Sequence, residues 1–308
     1  MSRLGSLLIC TALFFGLFSC DSGPKITDTL SKGNVDISVD EAYKPIIEEE
    51  MRVFDSCYPE AKITVHYKSE AECIKDYFDH KARIILISRD FTAEENKACE
   101  QKQIFKSSLP LALDAIAVIV HNSSVDTEMG MNVLKGILTG EYKTKYTVVF
   151  DNQNSGMAGF IEDSILGGGK LGKNVYAVKG DSAVIDYVAQ NPNAMGFVGL
   201  SYVSKPEDTT NTGSFISKVK IVAMENSERG VMNNAGLRKF NQPYQAIIAR
   251  RAYPLTRKLF YINSESYPGL GTGFANFLGR EQGQLIFYHA HLFPLRMEIV
   301  VRSAEINN

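Results

Sequence analysis

The sequence predicts an α/β protein of two lobes, each a mixed or mostly parallel sheet flanked by helices. Strand-like and helix-like segments alternate along the chain, and the alternation runs through twice. A late segment is left over, so the chain must cross between the lobes more than once. The crossings are expected near Leu111 to Ala117 and near Arg250 to Ile262. Lobe 1 is expected to hold residues 34–114 and 255–308, and lobe 2 residues 115–254.

The elements follow in order. Val35 to Val39 reads as a strand, and Ala42 to Cys57 as a helix carrying Ile46, Ile47, Met51 and Phe54 on one face. Ile63 to Val65 is a second strand and Glu70 to Phe78 a second helix. Ile84 to Ile87 is a continuous apolar run of the kind that suits a strand covered on both faces. Thr92 reads as an N-cap, with Glu94 and Glu95 in the first turn. Ala115 to Val120 is the most apolar strand. Beyond it come a helix at Met131 to Leu138, a strand at Thr147 to Phe150, a helix at Gly159 to Leu166 and a strand at Val175 to Val178. Ala183 to Gln190 reads as a helix, Met195 to Leu200 and Lys218 to Met224 as strands, and Phe274 to His289 as one long helix. Met297 to Val301 is expected to close the fold as a strand.

The N-terminus sets the compartment. Arg3 precedes an almost wholly apolar run from Leu4 to Phe18, shorter than the roughly 20 apolar residues a membrane span requires. It fits the h-region of a signal peptide over residues 1–19. Leu17-Phe18-Ser19-Cys20 resembles a bacterial lipobox, which implies a diacylglycerol on the Cys20 thiol and a mature chain starting there. An ordinary signal peptide with an incidental cysteine is the alternative. Lipid chains on Cys20 would hold the protein to a membrane without a spanning helix. Residues 20–33 carry no apolar period and are expected to form a tether.

Composition narrows the partners. A net charge of −2 with mixed signs and no basic stripe argues against nucleic acid. Beyond Cys20, the cysteines Cys57, Cys73 and Cys99 leave open one disulfide with a free thiol, or three thiols. There is no Cys-x-x-Cys pair and no histidine cluster, so no metal and no cofactor are expected.

Three strand-to-helix turns are candidates for a ligand site: Asp40-Glu41-Ala42, Ser88-Arg89-Asp90, and Asn154-Ser155-Gly156-Met157. Open α/β sheets bind ligands at the carboxyl ends of their strands. Backbone N–H groups at a helix start beside a hydroxyl form an anion cradle, although Ser and Asn are also ordinary N-caps.

At these residues the chain resembles the phosphate-binding protein family of phosphate ABC importers. Asn154-Ser155-Gly156 resembles that family's Gly-Ser-Gly-Thr loop, and Asn193 to Gly199 its Gly-Ala-Ile-Gly-Tyr-Val segment. Ala252-Tyr253-Pro254-Leu255-Thr256-Arg257 resembles its return strand. Phe277-Leu278, Gln282-Gly283-Gln284 and Pro294-Leu295 are similar to its terminal signature. The resemblance implies a type II periplasmic-binding-protein fold whose lobes close on a solute, and a role without catalysis. It implies delivery of phosphate or a related oxyanion to an ABC permease, and the protein is expected to be a monomer. By the same resemblance Asp90 matches the family's proton-accepting aspartate.

The departures bear on the ligand. Asp40, Glu41 and Ala42 stand where the family has hydroxyl residues, Asp151 where it has an arginine, and Met157 where it has a threonine. Two unit charges about 4 Å apart interact by roughly 4 kcal/mol at an effective dielectric of 20. Inward-facing acids would therefore oppose a phosphate dianion, and Arg89 is the candidate for the missing positive charge. A different solute, or a surface sensor or adhesion role on the same fold, is the alternative. A third reading makes Ser155 a nucleophile, but no Gly-x-Ser-x-Gly elbow surrounds it. Gly167-Gly168-Gly169 reads as a helix exit, and Gly269 to Gly273 lacks the preceding buried strand of a dinucleotide fingerprint.

Overall fold

The computed structural model describes residues 28–142, 146–152, 155–205, 215–227 and 239–297. The first half of the chain lays down β1 (Gly33–Asp40), a 3₁₀ turn (Glu41–Tyr43) and α1 (Lys44–Cys57), with Pro45 at the helix start where a missing N–H is no loss. It continues through β2 (Ala61–Lys68), α2 (Glu70–Phe78), β3 (Ile84–Ile87) and α3 (Ala93–Gln101). Ser69 caps α2 and Thr92 caps α3. In each, a glutamate three residues on (Glu72, Glu95) returns a bond to the cap and closes a capping box.

β4 (Ser107–Val120) then leads into the second half: β5 (Glu128–Met129), α4 (Met131–Thr139), β6 (Thr147–Phe150) and the single turn α5 (Gly156–Phe160), which widens into a π-turn over Ile161–Ile165. β7 (Val175–Ala177), α6 (Asp181–Gln190), β8 (Ala194–Gly199) and α7 (Leu200–Val203) follow. β9 (Lys220–Ile221), β10 (Ala223–Glu225), β11 (Phe240–Asn241) and α8 (Gln245–Ala249) complete that half. The chain returns through β12 (Thr256–Asn263), α9 (Leu270–Gly279), α10 (Glu281–His289) and β13 (Phe293–Pro294).

The main sheet runs in the order β2-β1-β3-β12-β4-β8-β6-β7. Pairing is parallel within β2-β1-β3 and within β8-β6-β7, and antiparallel across β3-β12-β4-β8. The two sheets of the sequence reading are thus joined through one strand. β4 serves the first half with its N-terminal part and the second half with its C-terminal part. The strand was expected only from Ala115. It begins at Ser107 because β12 pairs with it along Thr256 to Asn263, a partner that local apolarity does not reveal. The Tyr253 hydroxyl, fully buried, donates to the Ile116 carbonyl at 3.0 Å and ties the return strand to β4.

Two bodies of core flank this junction. One contains Val35, Ile47, Phe54, Leu111, Leu259 and Phe274, with a satellite around Tyr77, Ile85 and Phe91. The other contains Val118, Leu134, Val148, Phe150, Val184 and Phe197. Gly196 of β8 is where α6 approaches most closely. A Cβ there would stand 2.6 Å from Val184 Cγ1 and 2.8 Å from Val188 Cγ2.

Some expectations are corrected. The long helix expected over Phe274 to His289 is two helices, because Arg280 is extended (φ −98°, ψ 175°) between them. The strand expected over Lys218 to Met224 is two short ones. The closing pairing is made by Phe293 and Pro294, and residues 298–301 of the expected strand lie outside the described residues. The expected tether is held from Asp28 onward. The buried Asp28 carboxylate accepts from Arg83 Nη2 and the Leu270 N–H, both at 2.8 Å, and from the Tyr267 hydroxyl at 2.7 Å. Cys57 is exposed, Cys73 and Cys99 are buried, and all three are free thiols. Among the described residues no helix is long and apolar enough to cross a membrane. The Cys20 site and the leader lie outside the described residues.

Candidate solute site between the two halves

β1 and β3 end at one edge of the first half, and β6 ends opposite them in the second. The turns that follow these strands bring Asp40, Ser88, Arg89, Ser155 and Gly156 together. A cleft of about 550 Å³ opens at this edge, lined by Glu70, Ser88 and Arg89 on one side and Ser155, Gly156 and Phe160 on the other. Below its floor lies a buried cluster of charge: Asp40, Asp114, Asp151, Asp181 and Arg257, each 3% exposed or less.

Asp40 Oδ1 accepts the Ala42 N–H at 3.1 Å and so caps the 3₁₀ turn. Its Oδ2 is buried without a hydrogen-bond partner and faces Gly156, where a Cβ would lie 2.9 Å from it. Glu41 and Ala42 meet the second half through their backbones. The Glu41 carbonyl accepts from the Tyr202 hydroxyl at 2.9 Å, and the Ala42 carbonyl from the Ser201 hydroxyl at 3.4 Å. The Ser88 N–H donates to Glu70 Oε2 at 3.1 Å, and its hydroxyl donates to the same oxygen.

Arg89 does not supply a free positive charge. Its Nε donates to Glu70 Oε1 at 3.0 Å, and its Nη1 and Nη2 to Glu95 at 2.7 and 2.9 Å. Asp90 is not among the residues lining the cleft: it pairs with Lys106 at 2.7 Å and accepts the Phe91 N–H at 2.7 Å. Burial works against its charge, but Lys106 and the Phe91 N–H together outweigh burial and hold the carboxyl below its ordinary value. Ser155 is a cap, its Oγ accepting the Ala158 N–H at 3.0 Å, so part of the expected cradle is already used. Met157, expected at the ligand, packs into the core of the second half with 1% exposure, because a thioether on that face has an apolar wall to fill. Asn154 lies outside the described residues.

The sequence reading missed the cationic centre. Arg257 of β12 stands opposite Asp114 of β4 in register, and its Nε donates to Asp114 Oδ2 at 2.8 Å. Its guanidinium lies over the Tyr43 ring at 5.0 Å, and its Nη1 and Nη2 are buried with no hydrogen-bond partner. Burial disfavours the guanidinium charge, but Tyr43, Asp114 and Asp40 outweigh that and hold its pKa above the ordinary value. The motif Tyr253 to Arg257 was the available signal, since it placed an arginine on the return strand.

Asp151, whose direction decides the local charge, points inward. Its Oδ2 accepts from the Asn152 amide at 3.2 Å, and its Oδ1 is buried without a partner. Asp181, at the start of α6, accepts the Gly199 N–H at 2.7 Å, and its Oδ2 is also unpartnered. Burial is the main reason that all three aspartates favour their neutral form. It lifts Asp40 well above the carboxylate range, with the Glu70 charge adding to it, and it raises Asp151. Burial and then the neighbouring Asp151 push Asp181 up to about 7. The Tyr43 hydroxyl has no hydrogen-bond partner, and burial holds its proton in place. The centre therefore offers two free guanidinium nitrogens and carboxyl groups that keep their protons more readily than surface acids do. No group of His, Cys, Asp and Glu among the described residues is arranged to hold a metal ion.

A family model described as a PBP superfamily domain matches residues 26–281. The phosphate-binding protein PstS of Pseudomonas aeruginosa is 24% identical over 272 residues, covering 80% of this chain and 78% of that one. Among solved structures, a candidate phosphate ABC transporter substrate-binding protein with bound phosphate, from Clostridium perfringens, superposes with a TM-score of 0.69. It has 21% identity, over 85% of this chain and all of that one. An ABC-type phosphate transport receptor from Vibrio cholerae gives 0.63 at 18% identity, again over 85% of this chain and all of that one. These structural likenesses show the two-lobed fold. With the family model matching most of its length, the chain belongs to the PBP superfamily.

Proposed function

We propose that this chain is a lipid-anchored solute-binding protein, acting as a monomer. On this reading it holds phosphate or a related oxyanion between its two halves and passes it to an ABC permease. The observation that carries the reading is Arg257. Two guanidinium N–H groups without partners, buried where the halves meet, are the donor pair that an oxyanion engages through paired hydrogen bonds. The acids around it do not defeat the reading, because burial favours their protonated form, and a protonated carboxyl donates a hydrogen bond to an anion. The named relatives are phosphate-binding proteins, which supports the same ligand class. They are binding proteins rather than enzymes, and Ser155 is spent on its cap and has no histidine bonded to it.

On this proposal the moving bodies are residues 34–114 with 255–308 and residues 115–254, hinged at β4 and β12. Cys20 carries the lipid and holds the molecule on the outer side of a bacterial membrane. Titration calorimetry of the mature chain with phosphate, sulfate and molybdate tests the ligand class. Saturable heat with at least one of them is expected, and flat traces with all three contradict the reading. Membrane fractionation tests the anchor: Cys20→Ala should move the protein to the soluble fraction, and unchanged sedimentation with membranes would contradict lipidation. One observation favours the second reading, a different solute: the Glu70 carboxylate stands among the donors at Ser88 and Arg89. Mass spectrometry of a copurified ligand separates the two, and a non-anionic solute would replace the proposal.

A further inference from the structure

Glu70 opens α2, but capping does not require it there, because Ser69 and Glu72 already close the capping box. Its side chain instead turns into the cleft and is held as a free oxyanion would be. Oε2 accepts the Ser88 backbone N–H at 3.1 Å and also the Ser88 hydroxyl, and Oε1 accepts the Arg89 Nε–H at 3.0 Å. A backbone amide, a hydroxyl and a guanidinium nitrogen thus converge on one carboxylate that is 7% exposed. The group reaches the other half of the molecule: a Cβ on Gly156 would stand 2.8 Å from Glu70 Oε2. Arg89 does not need this acid for charge balance, since both Nη groups already pair with Glu95. Glu70 also adds to the repulsion that favours the neutral form of Asp40.

We infer that Glu70 is a resident carboxylate in the oxyanion seat. A solute must displace it to reach Ser88 and Arg89, and it therefore determines which anions the cleft admits. The inference rests on the oxyanion reading above for the nature of the solute. An internal occupant lowers apparent affinity by the fraction of time that the seat is free. The intact cleft is then a weak binder of any anion that competes poorly with a tethered carboxylate.

The test compares the wild-type mature chain with Glu70→Ala, which empties the seat, and Glu70→Gln, which keeps the packing and removes the charge. Each is titrated calorimetrically with inorganic phosphate and, separately, with acetate. The Ser88 amide resonance is followed by nitrogen-15 NMR. Glu70→Ala should bind phosphate about tenfold or more tighter than wild type, the gain expected when an occupant filling the seat about nine-tenths of the time is removed. Its Ser88 amide should shift and return toward the wild-type position as acetate refills the seat. Glu70→Gln should gain in the same direction by less, and it serves if the alanine variant is poorly folded. Acetate seating without any phosphate gain supports the resident carboxylate and contradicts phosphate as the solute. A Ser88 amide in Glu70→Ala that acetate leaves unchanged, with no gain for phosphate in either variant, overturns the inference whether or not wild type binds phosphate.

Discussion

Arg257 and Asp114 face each other in register on β12 and β4, joined by an Nε to Oδ2 hydrogen bond of 2.8 Å at the junction of the two halves. Both side chains are almost fully buried. Removing one partner of such a pair leaves an uncompensated charge and destabilises by about 3–5 kcal/mol, whereas replacing both with apolar groups is often neutral. Arg257→Met should therefore lower the urea-unfolding free energy by about that amount. Arg257→Met with Asp114→Leu should recover most of it. A single variant as stable as wild type would mean that water reaches the pair.

Glu50 is another buried acid with a cost. It is fully enclosed on α1, neither carboxylate oxygen has a hydrogen-bond partner, and burial pushes its pKa up to about 10. A carboxyl whose folded pKa is raised holds more protons folded than unfolded, so stability is present in full below about 4.5 and falls as pH rises toward 10. Glu50→Gln should stabilise the protein by about 1–3 kcal/mol at pH 7 and by little near pH 4, measured as the difference in chemical denaturation between the two. An equal effect at both pH values would remove titration as the cause.

Gly156 sets how closely the halves approach. Its backbone angles suit any residue, but a Cβ would stand 2.8 Å from Glu70 Oε2 and 2.9 Å from Asp40 Oδ2. Gly156→Ala should fold, lose about 1–3 kcal/mol through overpacking, and hold the cleft more open in small-angle scattering. Adding Glu70→Ala should restore closure in part, because the nearer obstacle is then gone while Asp40 Oδ2 remains at 2.9 Å. A single variant that scatters as wild type would show that Glu70 gives way without moving the halves.

Much of this architecture is legible locally. Thr92 with Glu95, the apolar run Ile84 to Ile87, and the strand-loop-helix order around Asp151 and Ser155 all report their structures within a few residues. The centre is less legible because its contacts are long-range. Arg257 becomes a site residue only through strand pairing with Asp114, 143 positions away, and Glu70 only by reaching Ser88, 18 positions on. Arg89 shows the converse. Its charge was visible, but its neutralisation by Glu70 and Glu95 depends on how a turn folds back over α2 and α3. The inward direction of Asp151 is likewise set by the surrounding fold, which leaves it 1% exposed, and not by its neighbours in sequence.

On the proposed function, the buried carboxyls beside Arg257 act as hydrogen-bond donors rather than as repelling charges. Sulfate keeps one charge state across the neutral range, so its affinity at pH 5.5 and at pH 8.5 isolates the titration of the protein. Asp181, with its pKa near 7, is protonated at the first pH and ionised at the second, with Asp40 and Asp151 beside it. Calorimetry should show sulfate binding at pH 5.5 that weakens about tenfold or more at pH 8.5, as one added charge at close range requires. An affinity that is flat or rises with pH would contradict that role of the carboxyls.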